Sequence, residues 1–82
     1  MDLFTVELTV ANHCGVLNRI TGVYAKGKHN IESLTVQKSH DPALSVMRIS
    51  SRGDAAVQCQ MLRQLHKLLD VKTVVLLNNS ML

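Results

Sequence analysis

The sequence predicts one α+β domain in the order β-α-β-β-α-β, a four-stranded antiparallel sheet with two helices on one face. Three observations carry this. Apolar residues alternate strictly from Phe4 to Val10, the period of a strand with one buried face. Two later stretches space their apolar residues by threes and fours, as amphipathic helices do. Between those stretches, two β-branched runs flank Asp41-Pro42, a turn short enough to require an antiparallel hairpin.

In chain order, Phe4, Val6, Leu8 and Val10 alternate with Thr5, Glu7 and Thr9 to give the first strand. Val16, Leu17, Ile20, Val23 and Tyr24 form the apolar stripe of the first helix, which ends near Gly27 and turns Asn18, Arg19 and Lys26 to solvent. The second strand begins at Asn30, with Ile31, Leu34 and Val36. "ALSVMRISS" is the third; its apolar phase slips between Val46 and Met47, which implies a bulge or burial on both faces. Asp54 is a good N-cap for a second helix, whose stripe runs through Val57, Met61, Leu62, Leu65, Leu68 and Leu69. "VKTVVLL" is the fourth strand. Residues 1–78 make the domain, and 79–82 a fraying tail. This order is one of the ferredoxin-like arrangements, which host unrelated functions, so a site must decide what the chain does.

Composition narrows the field. Among 82 residues the only aromatics are Phe4 and Tyr24, so the core is small and aliphatic and gains from a further buried interface. Self-association is expected. The net charge of +3 comes from basic residues scattered singly, not the clustered, aromatic-lined face that nucleic acids need. Asp2, Thr5 and Glu7 interrupt any apolar leader, and no stretch approaches the roughly 18 apolar residues of a membrane span. Cys14 and Cys59, far apart, fit two free thiols in a reducing cytoplasm.

The chemistry concentrates in "NHCGVL", residues 12–17, between the first strand and first helix. A nucleophilic Cys14 with His13 as base is disfavoured, because adjacent side chains rarely face each other and catalytic Cys-His pairs join distant residues. A metal loop lacks its second thiolate, since Leu17 stands three residues beyond Cys14, and the histidines at 13, 29, 40 and 66 have no structural-zinc spacing. The backbone offers a third reading. A strand that turns through Gly15 into a helix presents unpaired N–H groups that favour a carboxylate or phosphate. Asn12 can then cap the helix or accept a hydrogen bond from an ammonium group. An amino acid carries both charges. Plain N-capping by Asn12, with Gly15 easing the turn, competes with ligand binding on this chemistry.

The stretches "NHCGVLNRITGVYAKGKHNIESLTV", "DPALSVMRI" and "QLHKLLDVKTV" closely resemble the amino-terminal ACT domain of the acetolactate synthase (acetohydroxyacid synthase) regulatory small subunit. The likeness runs from about Phe4 to Val75. It implies a domain that dimerises with its sheets side by side, and feedback sensing of branched-chain amino acids, chiefly valine, at the dimer interface. The family's effector positions carry over as Asn12, Gly15 and Asn30, with His13, Cys14, Val16, Leu17 and Ile31 as the neighbouring contacts. It also implies no active site and no cofactor in this chain. Thiamine diphosphate, FAD and Mg belong to the catalytic large subunit, the expected partner. Two features depart from the family: Cys14 stands where proline or serine is common, and the family's small subunit continues for about another domain length beyond the point matching Leu82. The alternatives are a stand-alone ACT module sensing another small amino acid for a different enzyme, and, behind it, a metal-handling ferredoxin-like domain.

Overall fold

Residues 2–77 are described by a computed structural model, which contains β1 (Leu3–Ala11), α1 (Val16–Lys26), β2 (Ile31–Lys38), β3 (Leu44–Arg52), α2 (Ala55–His66) and β4 (Val71–Leu77). The expected tail lies outside these residues. The sheet order is β2-β3-β1-β4, antiparallel throughout. This is the predicted ferredoxin-like architecture.

The alternation in β1 sends Phe4, Val6, Leu8 and Val10 into the core. Their partners across β3 are Ser51, Ile49, Met47 and Ser45, and these four are also buried. The expected phase slip in β3 is therefore not a bulge. Its pairing with β1 runs without a shift from Leu3–Arg52 to Ala11–Leu44. Serines at 45 and 51 occupy inward positions, while Leu44 and Val46 are half-buried on the opposite face. The register shifts fall elsewhere, between Ile31 and Ser33 against β3 and between Thr9 and Val10 against β4.

Val16, Ile20 and Tyr24 bury one face of α1, and Met61 and Leu65 that of α2. Asp54 caps α2 as its sequence position predicts, its carboxylate accepting from the Val57 N–H at 3.0 Å. Helix α2 stops at His66, so Leu69 lies beyond it and is 93% exposed, outside the predicted stripe. Gly27 ends α1 in ordinary right-handed backbone. A Cβ there would lie 2.7 Å from the His29 ring, so a larger residue would require that partly exposed side chain to move.

The helices cover β2 only in part. Leu34 and Val36 pair with Ile49 and Met47, so they share the helix-covered face, yet they are 37% and 51% exposed. Leu17 on α1 is also exposed. A sheet edge with apolar side chains along it invites another strand. The opposite sheet face is mixed: the Arg48 guanidinium lies 2.8 Å from the Glu7 carboxylate across β1 and β3, while Leu3 and Val75 are exposed and Val46 is half-buried on the same face.

Among the described residues, two buried hydroxyls lack a hydrogen-bond partner, those of Ser51 and Tyr24. Tyr24 is fully buried, its hydroxyl has no hydrogen bond, and burial pushes its phenol up to about 12. Removing an unsatisfied buried hydroxyl is neutral or favourable. Tyr24→Phe should therefore leave the domain as stable or raise its stability by up to about 1 kcal/mol; a urea midpoint clearly below the parent's would contradict this.

Candidate functional site

The N-cap of α1 is Gly15, in left-handed backbone at φ 90, with no side chain capping the helix. The expected Asn12 cap is corrected here. Three residues separate Asn12 from Val16, and its side chain turns the other way, Nδ2 donating to the Pro42 carbonyl at 3.2 Å. Its backbone N–H donates to the Ala43 carbonyl at 2.8 Å. Asn12 thus ties the loop to the β2–β3 turn.

With no cap, the helix start keeps its donors. The Val16 N–H reaches the His13 carbonyl only at 3.4 Å, and the Arg19 N–H bonds the Gly15 carbonyl at 3.1 Å. Among the described residues, the N–H groups of Cys14, Gly15, Leu17 and Asn18 have no such bond. Unpaired donors at a helix start attract anions.

Beside this loop is a shallow cavity of about 100 Å³, lined by Val10, Ala11, Asn12, His13, Val16, Leu17, Val36, Ser45 and Met47. Of the predicted site residues it gathers Asn12, His13, Val16 and Leu17; Cys14 and Gly15 stand in the loop beside it. Val10, Ala11, Val36, Ser45 and Met47 were not foreseen as site residues. The signal available for Ser45 is its polar side chain at an inward position of an alternating strand.

Asn30 and Ile31 are elsewhere. β1 and β2 are both antiparallel to β3, so they run the same way. Asn12 follows the end of β1 and Asn30 precedes the start of β2, which puts them at opposite ends of the sheet. Asn30 is exposed, its Nδ2 3.4 Å from the Glu32 carboxylate, and Ile31 packs partly against the core.

The opening loop is also held by Asp70, which the sequence reading did not single out. Its backbone carbonyl accepts from the Ala11 N–H at 2.8 Å. Its carboxylate accepts from Arg19 Nε at 2.7 Å and lies 2.9 Å from His13 Nε2. His13 therefore has an acidic partner, but its other ring nitrogen lies 3.2 Å from the backbone carbonyl of Cys14. The sequence signal for Asp70 is an acid just past a helix C-terminus, where the dipole disfavours negative charge unless cations attend it. Cys14 and Cys59 are exposed and not joined to each other. Among the described residues, no group of three or more His, Cys, Asp or Glu could hold a metal ion, and no helix is long and apolar enough to cross a membrane.

Partial burial raises the Asp70 carboxyl, but the hydrogen bond and charge of Arg19, joined by His13, hold it below the ordinary value of 3.8. A lowered folded-state value contributes stability above the unfolded value and loses it as pH falls. Asp70→Asn should thus lower the urea midpoint at neutral pH, with the gap to the parent closing as pH falls below the ordinary carboxylate range. A gap that persists into acid would assign the effect to something other than ionisation. Gly15→Ala should cost about 1–3 kcal/mol in the same assay, because a Cβ is strained at this φ.

Residues 6–73 match the family model described as the AHAS small subunit-like ACT domain. The acetolactate synthase small subunit of Haemophilus influenzae is 44% identical over 75 residues, covering 92% of this chain and 46% of that protein. The isozyme 3 small subunit of Escherichia coli is 44% identical over 69 residues, or 84% of this chain and 42% of its own. The chain thus spans somewhat under half the length of these curated relatives. The crystal structure of the Thermotoga maritima acetolactate synthase small subunit superposes with a TM-score of 0.89 at 30% identity, over 96% of this chain and 49% of that one. The ACT domain of a Chlorobium tepidum GTP pyrophosphokinase, at 23% identity and a TM-score of 0.78, shares the fold.

Proposed function

The chain belongs to the AHAS small subunit-like ACT domains, and from that membership we propose that it is an effector-sensing, non-catalytic part of acetolactate synthase. In this reading it binds valine, or another branched-chain amino acid, between two copies of itself. Occupancy is then reported to a separate catalytic large subunit, which holds the thiamine diphosphate, FAD and Mg. The setting is cytoplasmic biosynthesis. Control works by linkage, valine favouring one arrangement of the dimer and thereby one state of the attached enzyme.

The observation that carries the proposal is the separation of Asn12 and Asn30. A two-fold axis that pairs two β2 edges antiparallel brings the start of one β2 beside the end of the other. The partner subunit's Asn30 then approaches the cavity formed by Asn12, Leu17 and Val36. The pairing also covers Leu34 and Val36, which the helices leave exposed. A cavity of about 100 Å³ is well below the roughly 300 Å³ at which ligand pockets begin, as expected for half a site.

The effector's carboxylate would sit on the free N–H groups around Cys14 and Gly15. Its ammonium group would meet an amide oxygen of Asn12 or of the partner subunit's Asn30. Its aliphatic side chain would lie against Val16, Leu17 and the partner subunit's Ile31. Titrating the chain calorimetrically with valine, leucine, isoleucine and serine, alongside light scattering, tests this. The expected result is a dimer that binds valine with a Kd between about 1 μM and 1 mM. Asn30→Ala should weaken binding by about 1.5–3 kcal/mol, the worth of a charge-assisted hydrogen bond, and Gly15→Asp should abolish it. Unchanged valine binding in both variants would locate the site elsewhere. A preference for serine over the branched-chain amino acids would make the chain a sensor for a different enzyme.

A further inference from the structure

We infer that Asp70 is a positioning residue for the effector loop and that His13 makes its grip on that loop proton-dependent; this rests on the effector-site reading above. Asp70 is itself well placed to act as an anchor. Its carbonyl is bonded to the end of β1, and its side chain is only 18% exposed. From there the carboxylate bridges the loop, taking His13 on one side of Gly15 and Arg19 on the other. The Arg19 guanidinium passes 3.4 Å from where a Cβ on Gly15 would lie. The bridge thus spans the loop from the residue two before Gly15 to the residue four after it.

The two ring nitrogens of His13 both face acceptors, Nε2 the Asp70 carboxylate at 2.9 Å and Nδ1 the Cys14 carbonyl at 3.2 Å. A carbonyl oxygen cannot donate. A neutral imidazole carries one N–H, so it can satisfy only one of these contacts, whereas the imidazolium satisfies both. The proton therefore completes a bond from His13 to the backbone of the loop that would receive the effector's carboxylate.

Charge acts in the same direction. Among the described residues the charged groups paired around His13 are Asp70 from the α2–β4 turn and, through Asp70, Arg19 from α1. On the neighbouring β2–β3 turn, the Asp41 carboxylate accepts from the Ala43 N–H. The Cys14 thiol beside His13 is exposed. With His13 protonated, two cations attend one carboxylate and leave a net positive charge beside the free N–H groups; with His13 neutral, the cluster is balanced. Both effects favour an incoming carboxylate when the proton is present. Effector affinity should thus rise as pH falls through the histidine range, and effector binding should take up protons. Histidine and arginine are each about half exposed, so solvent screening keeps the effect modest.

The test is valine titration of the whole chain at about pH 5.5 and about pH 8 at fixed ionic strength, where valine itself keeps both charges. Affinity should fall about two- to fivefold between them in the parent, the range of an exposed ion pair. His13→Gln should bind with no such slope. Asp70→Asn should bind about tenfold or more weakly at pH 8, through loss of its charged hydrogen bonds. A readout without effector runs in parallel: the amide resonances of Cys14 and Gly15 should follow one titration in the parent that is absent in His13→Gln. A flat parent profile, or an equal slope in His13→Gln, overturns the inference while leaving the effector site standing. If no branched-chain amino acid binds at any pH, the effector reading falls. The positioning role for an effector falls with it, and the amide titration then decides whether His13 grips the loop.

Discussion

Strand β1 is the constraint on which the other elements depend. It is hydrogen-bonded on both sides, to β3 and β4, and its inward residues Val6 and Leu8 are completely removed from water. Each such side chain contributes about 1.5–3 kcal/mol by burial, and in a chain with two aromatics nothing larger can substitute. Ile20 and Tyr24 from α1 and Met61 and Leu65 from α2 complete the same cluster. The end of β1 is fixed with equal economy, Ala11 to the Asp70 carbonyl and Asn12 to the Ala43 carbonyl. The loop that follows thus leaves the sheet from a position set by two neighbouring turns.

That placement has a price in symmetry. Because β1 and β2 run the same way, a site built from the residue after one and the residue before the other cannot close within a single copy. The fold leaves β2 as an edge with apolar residues exposed along its helix-side face. In the proposed β2 pairing, completing the site and covering Leu34 and Val36 use the same edge. In the proposed dimer, stability and effector binding draw on one interface, which is the condition for an effector to influence how the two copies are held.

The sequence was most legible where the information is local. β1 and the two helices follow from periodicities of two or of three to four residues, the other strands from β-branched content and turn signals, and the Asp54 cap and the end of α1 near Gly27 from single-residue preferences. Legibility declines at element ends. Leu69 continues the helical spacing of Leu62 and Leu65, but the helix stops at His66 and the residue faces solvent. In β3 the apolar phase slip reflects burial on both faces rather than a bulge, with Ser45 and Ser51 inward beside Met47 and Ile49 and with Leu44 and Val46 half-buried outward. Asn12 looked like a cap because its type suits one, yet nothing local announces that the Pro42 and Ala43 carbonyls take its donors.

The same distinction explains the site. The free N–H groups of the opening loop were foreseeable from Gly15 and the strand-to-helix turn, since both are local. The bridge that holds the loop joins residues 51 apart in sequence, Arg19 and Asp70, and no periodicity encodes such a pair. Its physical role also differs from that of the core. The apolar cluster fixes where α1 lies, whereas a left-handed glycine with uncapped donors still has local freedom that burial does not remove. A carboxylate shared by one residue before and one residue after that glycine limits this freedom directly, with both cations half exposed and open to exchange with solvent ions and protons. The bridge therefore restrains the loop through contacts that solvent reaches, while the buried cluster fixes α1.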